Sequence, residues 1–398
     1  MKNIVNLTLV FVIALAALPN CLSAQVSFTE GGEWQSILEK AGAQDKLIFV
    51  DAYTEWCSWC KVMDKKTFSQ AEVGEFMNSR MMSYKIEMEK TELGRKLSMK
   101  YGINSFPTFL IFKPTGELAY KLTGFQEPVQ FIENLNKAVM IENQLIQPGY
   151  SQELDLDYPD IYLQVYPESG KKVFPDSLAV EEYIMLQPDY SNEVTWQVIK
   201  RFGSKLSQER RELIHQQKEA LVMSFGESEY EDYVERLISA DLGRAIKSKD
   251  ADQLEQTLDF ARQNLSDPDK SIPYYRLAFA SATDDWKTVV RMIDEKSANG
   301  EELSASFYNS YGWNIYEKCS DLKIVAHAAG WLTPLVNDET EWHILDTYAA
   351  LLYKSQNYDE AEKWAIKAID KGKAEEAKVG ETETLLSKIR EERKALEK

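Results

Sequence analysis

The chain has 398 residues, a net charge of −18 and 44% hydrophobic residues. That length exceeds what one core organises, so two or three domains are expected, and the apolar content is enough to fold them. The acidic balance argues against nucleic acid or an anionic membrane surface as a partner.

Met1-Lys2-Asn3 is a short basic start, and Leu7 to Leu18 is an almost wholly apolar run. The run is too brief to span a bilayer and has the layout of a secretory signal over residues 1–24, with cleavage after Ala24. Leu18-Pro19-Asn20-Cys21 is a weak match to a lipoprotein cleavage box, because proline and asparagine sit where small residues are wanted. Membrane attachment is therefore expected only if Cys21 carries a lipid. No second long apolar segment follows, so the mature chain is expected to be soluble and exported, to the periplasm or beyond, into oxidising surroundings.

Residues 25–145 alternate between strand and helix patterns. A strand near Val26 precedes helical spacing at Trp34, Ile37, Leu38 and Ala41, and then "KLIFVDAY" (Lys46 to Tyr53) reads as a buried strand. Helical positions from Val62 to Phe76 bend around Thr67 to Gln70. "MMSYKIEME" (Met81 to Glu89) is a further strand, and a helix through Leu93, Leu97 and Tyr101 stops at Gly102. "PTFLIF" turns at Lys113-Pro114-Thr115-Gly116 into "ELAYKL", and a helix through Phe131, Leu135 and Val139 closes the unit. This is an α/β domain, whose active groups are expected beyond a strand's carboxyl end.

Residues 146–192 read as a linker with short helices, and 193–398 as all helix, paired from about Glu231. Residues 342–375 resemble a tetratricopeptide repeat. Tyr348-Ala349 gives a bulky-then-small pair on the first helix, Tyr358 precedes the second, and Ala361 and Ala368 permit close approach. Tyr311, Gly312 and Tyr316 recur as Tyr348, Ala349 and Tyr353 at a constant offset of 37 residues. An ordinary helical hairpin is the alternative. The Lys- and Glu-rich tail from Ala374 reads as a solvated capping helix.

The cysteines are Cys21, Cys57, Cys60 and Cys319. "EWCSWCK" follows a strand and opens a helix, so Cys57 falls at a helix N-terminus, where unpaired N–H groups and the helix dipole favour a thiolate. Cys60 lies one turn later, within reach of a mixed disulfide at Cys57. Cys57 is thus read as the exposed nucleophile and Cys60 as the resolving thiol. Zinc would need two more ligands, and His215, His327 and His343 all lie in the helical half. A structural disulfide would close too small a loop to stabilise much. No metal or other cofactor is expected. Cys319 reads as a buried inert thiol, with a contact to Cys57 as the alternative.

Several separated positions make residues 26 to about 143 resemble a thioredoxin-fold domain. They are Asp51 six residues before Cys57, "EWCSWCK", "YGINSFPT" (Tyr101 to Thr108) and Gly124. The resemblance implies that Asp51 is the buried acid assisting proton transfer at Cys60, and that Lys85 lies near it. It also implies that Pro107 is cis and lies against the disulfide. Desolvation in an apolar strand would raise Asp51 towards a useful base; an acid pointing into solvent is the alternative. Pro107, if cis, would turn the chain so that the Phe106 backbone pairs with an extended client peptide, and Trp56 and Trp59 would border it. Core filling is the other role open to Trp56. Ser58-Trp59 replaces the Gly-Pro of thioredoxin, which leaves the direction of electron flow open. The layout is similar to exported thioredoxin-like proteins of Bacteroidetes.

The leading expectation is an exported thiol–disulfide oxidoreductase acting on disulfide-containing client proteins or peptides and served by an electron donor. The alternative is a binding scaffold built on the helical repeats, with the thioredoxin-like domain mainly structural. No phosphate-cradling loop, serine elbow or histidine–glutamate metal motif supports an ATPase, hydrolase or metalloprotease.

Overall fold

A computed structural model describes residues 25–141 and 147–396. The signal expected at residues 1–24, Cys21 included, and positions 142–146 lie outside the described residues. By backbone contacts the chain divides into two compact units, with the boundary between Tyr230 and Glu231.

The first unit opens with β1 (Phe28–Glu30), α1 (Trp34–Gln44), β2 (Leu47–Tyr53) and α2 (Ser58–Met63). A single π-helical turn, Asp64–Phe68, then leads into α3 (Ala71–Arg80), β3 (Met81–Glu87) and α4 (Glu92–Tyr101). The strands β4 (Thr108–Phe112) and β5 (Leu118–Thr123) and the helix α5 (Pro128–Ile141) complete the α/β part. The sheet order is β1-β3-β2-β4-β5, with β1, β3 and β2 parallel and β4 and β5 antiparallel to their neighbours. The kink expected at Thr67 to Gln70 falls at the end of the π turn.

β2 runs through the middle of the sheet, which explains its continuous apolar run: six of its residues are buried. Side chains alternate along it. Ile48 and Val50 share a face with Phe112 of β4, whose ring meets Trp34 of α1 and Tyr101 of α4 at 4.9 and 5.4 Å. Phe49 points the other way and stacks on Phe109 at 5.6 Å, with Phe68 and Phe131 set edge-on around them. Asp51 lies two residues beyond Phe49, on that same aromatic face. α4 starts on Thr91, whose hydroxyl accepts the Gly94 N–H, and ends on Gly102 with φ +63°. Gly94 has no room for a side chain, since a Cβ there would lie 2.1 Å from the Glu87 carbonyl.

The segment after the sheet carries α6 (Asp160–Leu163), α7 (Ser177–Met185), α8 (Glu193–Phe202), α9 (Gln208–His215), α10 (Lys218–Phe225) and the start of α11 (Glu227–Ser248). It is joined to the α/β part by buried polar contacts. Tyr162 donates to the Met99 carbonyl at 2.8 Å, and Lys100 pairs with Glu193 at 2.5 Å. Lys121 of β5 and Lys200 of α8 both bond the buried Glu229 carboxylate, which also accepts the Tyr150 hydroxyl at 3.2 Å. Burial pushes Glu229 up, but the two ammonium groups outweigh it and hold the carboxyl down at about 2.

The second unit is all helix. After α11 come α12 (Ala251–Asn264), α13 (Pro268–Ala282), α14 (Trp286–Ala298), α15 (Ala305–Lys318) and α16 (Leu322–Leu332). The last three are α17 (Trp342–Lys354), α18 (Tyr358–Ala374) and α19 (Gly380–Leu396). In the α17–α18 hairpin Ala349, Ala361, Ala365 and Ala368 are fully buried, and the Tyr348 and Trp364 rings meet at 5.6 Å. Gly312 of α15 approaches Leu351 and Thr347 of α17 closely enough that a Cβ would sit 3.1 Å from Leu351. Among the described residues no helix is long and apolar enough to cross a membrane.

Glu229→Ala removes a carboxylate shared by two buried cations. The substitution is expected to cost about 3–5 kcal/mol of stability, read as a lower urea midpoint at neutral pH.

Candidate functional site

β2 ends at Tyr53, and the chain turns through Thr54-Glu55-Trp56 before α2. The Cys57 N–H donates to the Thr54 carbonyl at 3.1 Å, closing the turn. Cys57 is the N-cap of α2, with extended backbone, and its sulfur accepts the Cys60 N–H at 3.0 Å. Cys60 is therefore the third helical residue, where an N–H lacks an intrahelical partner. The two sulfurs are bonded to each other, with Cα atoms 5.4 Å apart. The exposed nucleophile expected at Cys57 is corrected: Cys57 is 3% and Cys60 5% exposed. In the disulfide the Cys57 sulfur turns towards Cys60 and the helix N-terminus rather than outward.

Asp51 is 1% exposed, which removes the alternative of an acid pointing into solvent. It pairs across the parallel register with Lys85 of β3. Parallel neighbours present side chains on the same face, so the Lys85 ammonium reaches to 3.5 Å from Asp51 Oδ2. The same ammonium donates to Asp64 Oδ1, at the start of the π turn. Asp51 Oδ1 is buried without a hydrogen-bond partner. Burial pushes the Asp51 carboxyl up to about 7 against the pull of Lys85, and the charges of Asp64 and Glu30 add to the rise. Burial draws Lys85 down, but Asp51 and Asp64 outweigh it and hold the ammonium above its ordinary range.

Two tryptophans flank the cysteine pair in the chain, and each meets a further aromatic ring. Trp56 and Trp59 are 67% and 58% exposed, so Trp56 is not core filling. Trp56 meets the Phe106 ring edge-on at 5.8 Å, and Trp59 lies 5.7 Å from Phe125. The Phe106–Pro107 peptide is cis, and the Pro107 carbonyl accepts the Gly124 N–H at 2.8 Å. Gly124 has φ +82°, which suits glycine at that position.

Sequence reasoning did not identify three further groups. Asp64 shares Lys85 with Asp51. Glu89, just past β3, accepts the Trp56 indole N–H at 2.8 Å and pairs with Lys172 at 2.7 Å. The segment Tyr166–Lys172 forms, with Arg201, the far wall of a cleft whose near wall is Trp56, Phe106 and Glu89. Asp64 could have been found as an acid one turn after Cys60. The cleft wall could not, because it joins residues more than a hundred positions from Trp56. Cys319 is a free thiol, buried in the core of the helical unit and raised by that burial. Among the described residues no three metal-ligating side chains converge.

The raised Asp51 carboxyl makes a stability prediction. The unfolded chain releases this proton near 3.8 and the folded chain only near 7, so ionising Asp51 costs stability as pH rises through that interval. Asp51→Asn is expected to be more stable than wild type above pH ~7 by roughly 2–4 kcal/mol, and so to unfold at higher temperature, with the difference vanishing near pH ~4. Thermal melts of the two oxidised proteins across that range give the comparison.

Residues 34–139 match the family model described as a thioredoxin-like domain. The thiol:disulfide interchange protein DsbD of Pseudomonas fluorescens is 28% identical over 120 residues, covering 29% of this chain and 20% of that protein. The protein disulfide isomerase-like 5-3 of Oryza sativa is 25% identical over 181 residues, covering 44% of this chain and 38% of that protein. The chain thus spans well under half the length of either relative. A solved structure of a putative disulphide-isomerase from Bacteroides thetaiotaomicron is 33% identical, with 29% of this chain and 93% of that chain covered and a TM-score of 0.27. With the parallel and antiparallel strands, the cysteine pair at the head of α2 and the family match in agreement, residues 34–139 are a thioredoxin-like domain, followed among the described residues by helices and no further strand.

Proposed function

We propose that the chain is an exported thiol–disulfide oxidoreductase that reduces or exchanges disulfides in periplasmic client proteins through Cys57 and Cys60. The observation that carries this reading is the Cys57–Cys60 disulfide at the start of α2, with a buried acid on the strand that leads to it. A disulfide between two residues at a helix N-terminus can open to a dithiol without rearranging the backbone around it, and the free N–H groups favour the thiolate when it does. Export rests on the sequence of residues 1–24.

In the reducing direction the Cys57 thiolate attacks a client disulfide, forming a Cys57–client mixed disulfide and releasing one client thiolate. The Cys60 thiolate then attacks Cys57 Sγ and releases the second client thiolate. Two electrons pass from the dithiol to the client, and Cys57–Cys60 is left oxidised. An external dithiol donor must reduce it for another turn. Asp51 serves as the group that accepts the proton of Cys60 as it attacks, a role suited to a carboxyl lifted to about 7. Trp56, Trp59 and the half-buried Phe106 form the surface that receives the client, and the buried Pro107, through its cis peptide, sets the course of the chain at Phe106. With Cys57 and Cys60 both buried, the exposed tryptophans that flank them in the chain are the groups proposed to meet the client first.

A second reading, protein binding by tetratricopeptide-like repeats, is favoured by an open groove in the helical unit lined by Tyr274, Phe307, Tyr311 and Asn314. On that reading loss of both cysteines leaves function intact.

Insulin reduction driven by dithiothreitol tests the proposal. Cys57→Ser is expected to abolish turnover, and Cys60→Ser to stall as a mixed disulfide detectable by mass spectrometry; wild-type rates in Cys57→Ser would eliminate the mechanism. Trp56→Ala is expected to raise KM several-fold with little change in kcat, because it removes client contact and leaves the sulfurs in place.

A further inference from the structure

Lys85 is one cation facing two carboxylates. Its ammonium donates to Asp64 Oδ1 and stands 3.5 Å from Asp51 Oδ2. The rings of Phe28, Tyr53 and Phe68 surround it at 5.2, 5.5 and 6.0 Å, which limits where it can swing. Asp51 Oδ1 is left with no donor. Asp64 can compete for the ammonium because α2 widens into the π turn at this residue and Asp64 opens that turn. Resting on the oxidoreductase reading, we propose that Asp64 is a positioning residue for the resolving step: it withholds Lys85 from Asp51, so that Asp51 exchanges a proton with Cys60 instead of remaining an ion-paired carboxylate.

The other groups around Asp51 do not substitute for this one. Glu30 of β1 acts in the same sense as Asp64, and Tyr53 lies on β2 itself. The β4 neighbours Thr108 and Phe109 carry no charge. On α2 and its N-cap the titratable groups are Cys57 and Cys60, silent while bonded, and Lys61. Asp64 is also the accessible member of the trio, its side chain 42% exposed against 14% for Lys85 and 2% for Asp51.

Removing the Asp64 charge acts twice in one direction. A negative neighbour is lost, and Lys85 is freed to close on Asp51; both favour the ionised carboxylate. The test uses the full chain and two readouts. The first is the pH midpoint of the stability difference between each protein and its Asp51→Asn counterpart. The second is the pH dependence of Cys60 attack on a preformed Cys57 mixed disulfide. In Asp64→Asn the attack midpoint is expected to fall by about one pH unit and the stability midpoint by about half a unit, because the unfolded-state end of that transition does not move, and Asp64→Glu is expected to restore the wild-type values. An unmoved stability midpoint in Asp64→Asn overturns the proposal, whether or not the chain reduces insulin. A stability midpoint that falls while wild type shows no thiol exchange upholds the coupling of Asp64 to Asp51 and overturns the functional reading instead.

Discussion

The central constraint of the first unit is a carboxyl group buried in the middle strand of a sheet with half a cation to balance it. A buried carboxylate normally needs a full partner or it takes up a proton. Asp51 has Lys85 within 3.5 Å, yet that ammonium is also held by Asp64, and one Asp51 oxygen has no donor at all. The carboxyl therefore stays poised between its two charge states. The strand, the π turn and the parallel register all contribute to this poise, since each brings one member of the trio to the others.

The same unit contains the opposite solution to the same problem. Glu229 is as deeply buried as Asp51, but two ammonium groups and a tyrosine hydroxyl converge on it. It stays ionised, and its contacts tie β5 to α8 and α11. One buried acid is left short of charge on the strand that leads to the disulfide, and the other is over-supplied at a structural joint. The contrast follows from the count of cations around each group, not from burial, which is nearly equal.

The segment after the sheet has a consequence for the aromatic border. In a domain limited to residues 34–139 the surface beside Trp56 and Phe106 would be open on one side. Here Tyr166 to Lys172 stands opposite, anchored by the Lys172–Glu89 pair and by the hydrogen bond from Trp56 to the same carboxylate. Burial pushes Glu89 up, but these two donors outweigh it and hold the carboxyl below its ordinary range. In the helical unit, by contrast, packing is organised by size: alanines at Ala349, Ala361, Ala365 and Ala368 and glycine at Gly312 let helices approach, and aromatic rings fill the gaps.

Much of this was legible in the amino-acid order because it depends on local pattern. The apolar run of β2, the helical spacing behind the cysteines, the stop at Gly102 and the turn at Lys113 to Gly116 each require only neighbours in sequence. The cysteine spacing pointed to a redox pair, and the likeness to thioredoxins singled out Asp51, Pro107, Gly124 and Lys85. What the sequence could not determine is how charge is shared across strands and turns. Whether Lys85 serves Asp51 or Asp64, and whether Tyr166 to Lys172 faces Trp56, depends on distances between segments far apart in the chain. Tertiary structure alone fixes those distances, because Coulomb interactions and hydrogen bonds are decided by ångströms in space and carry no periodicity along the sequence.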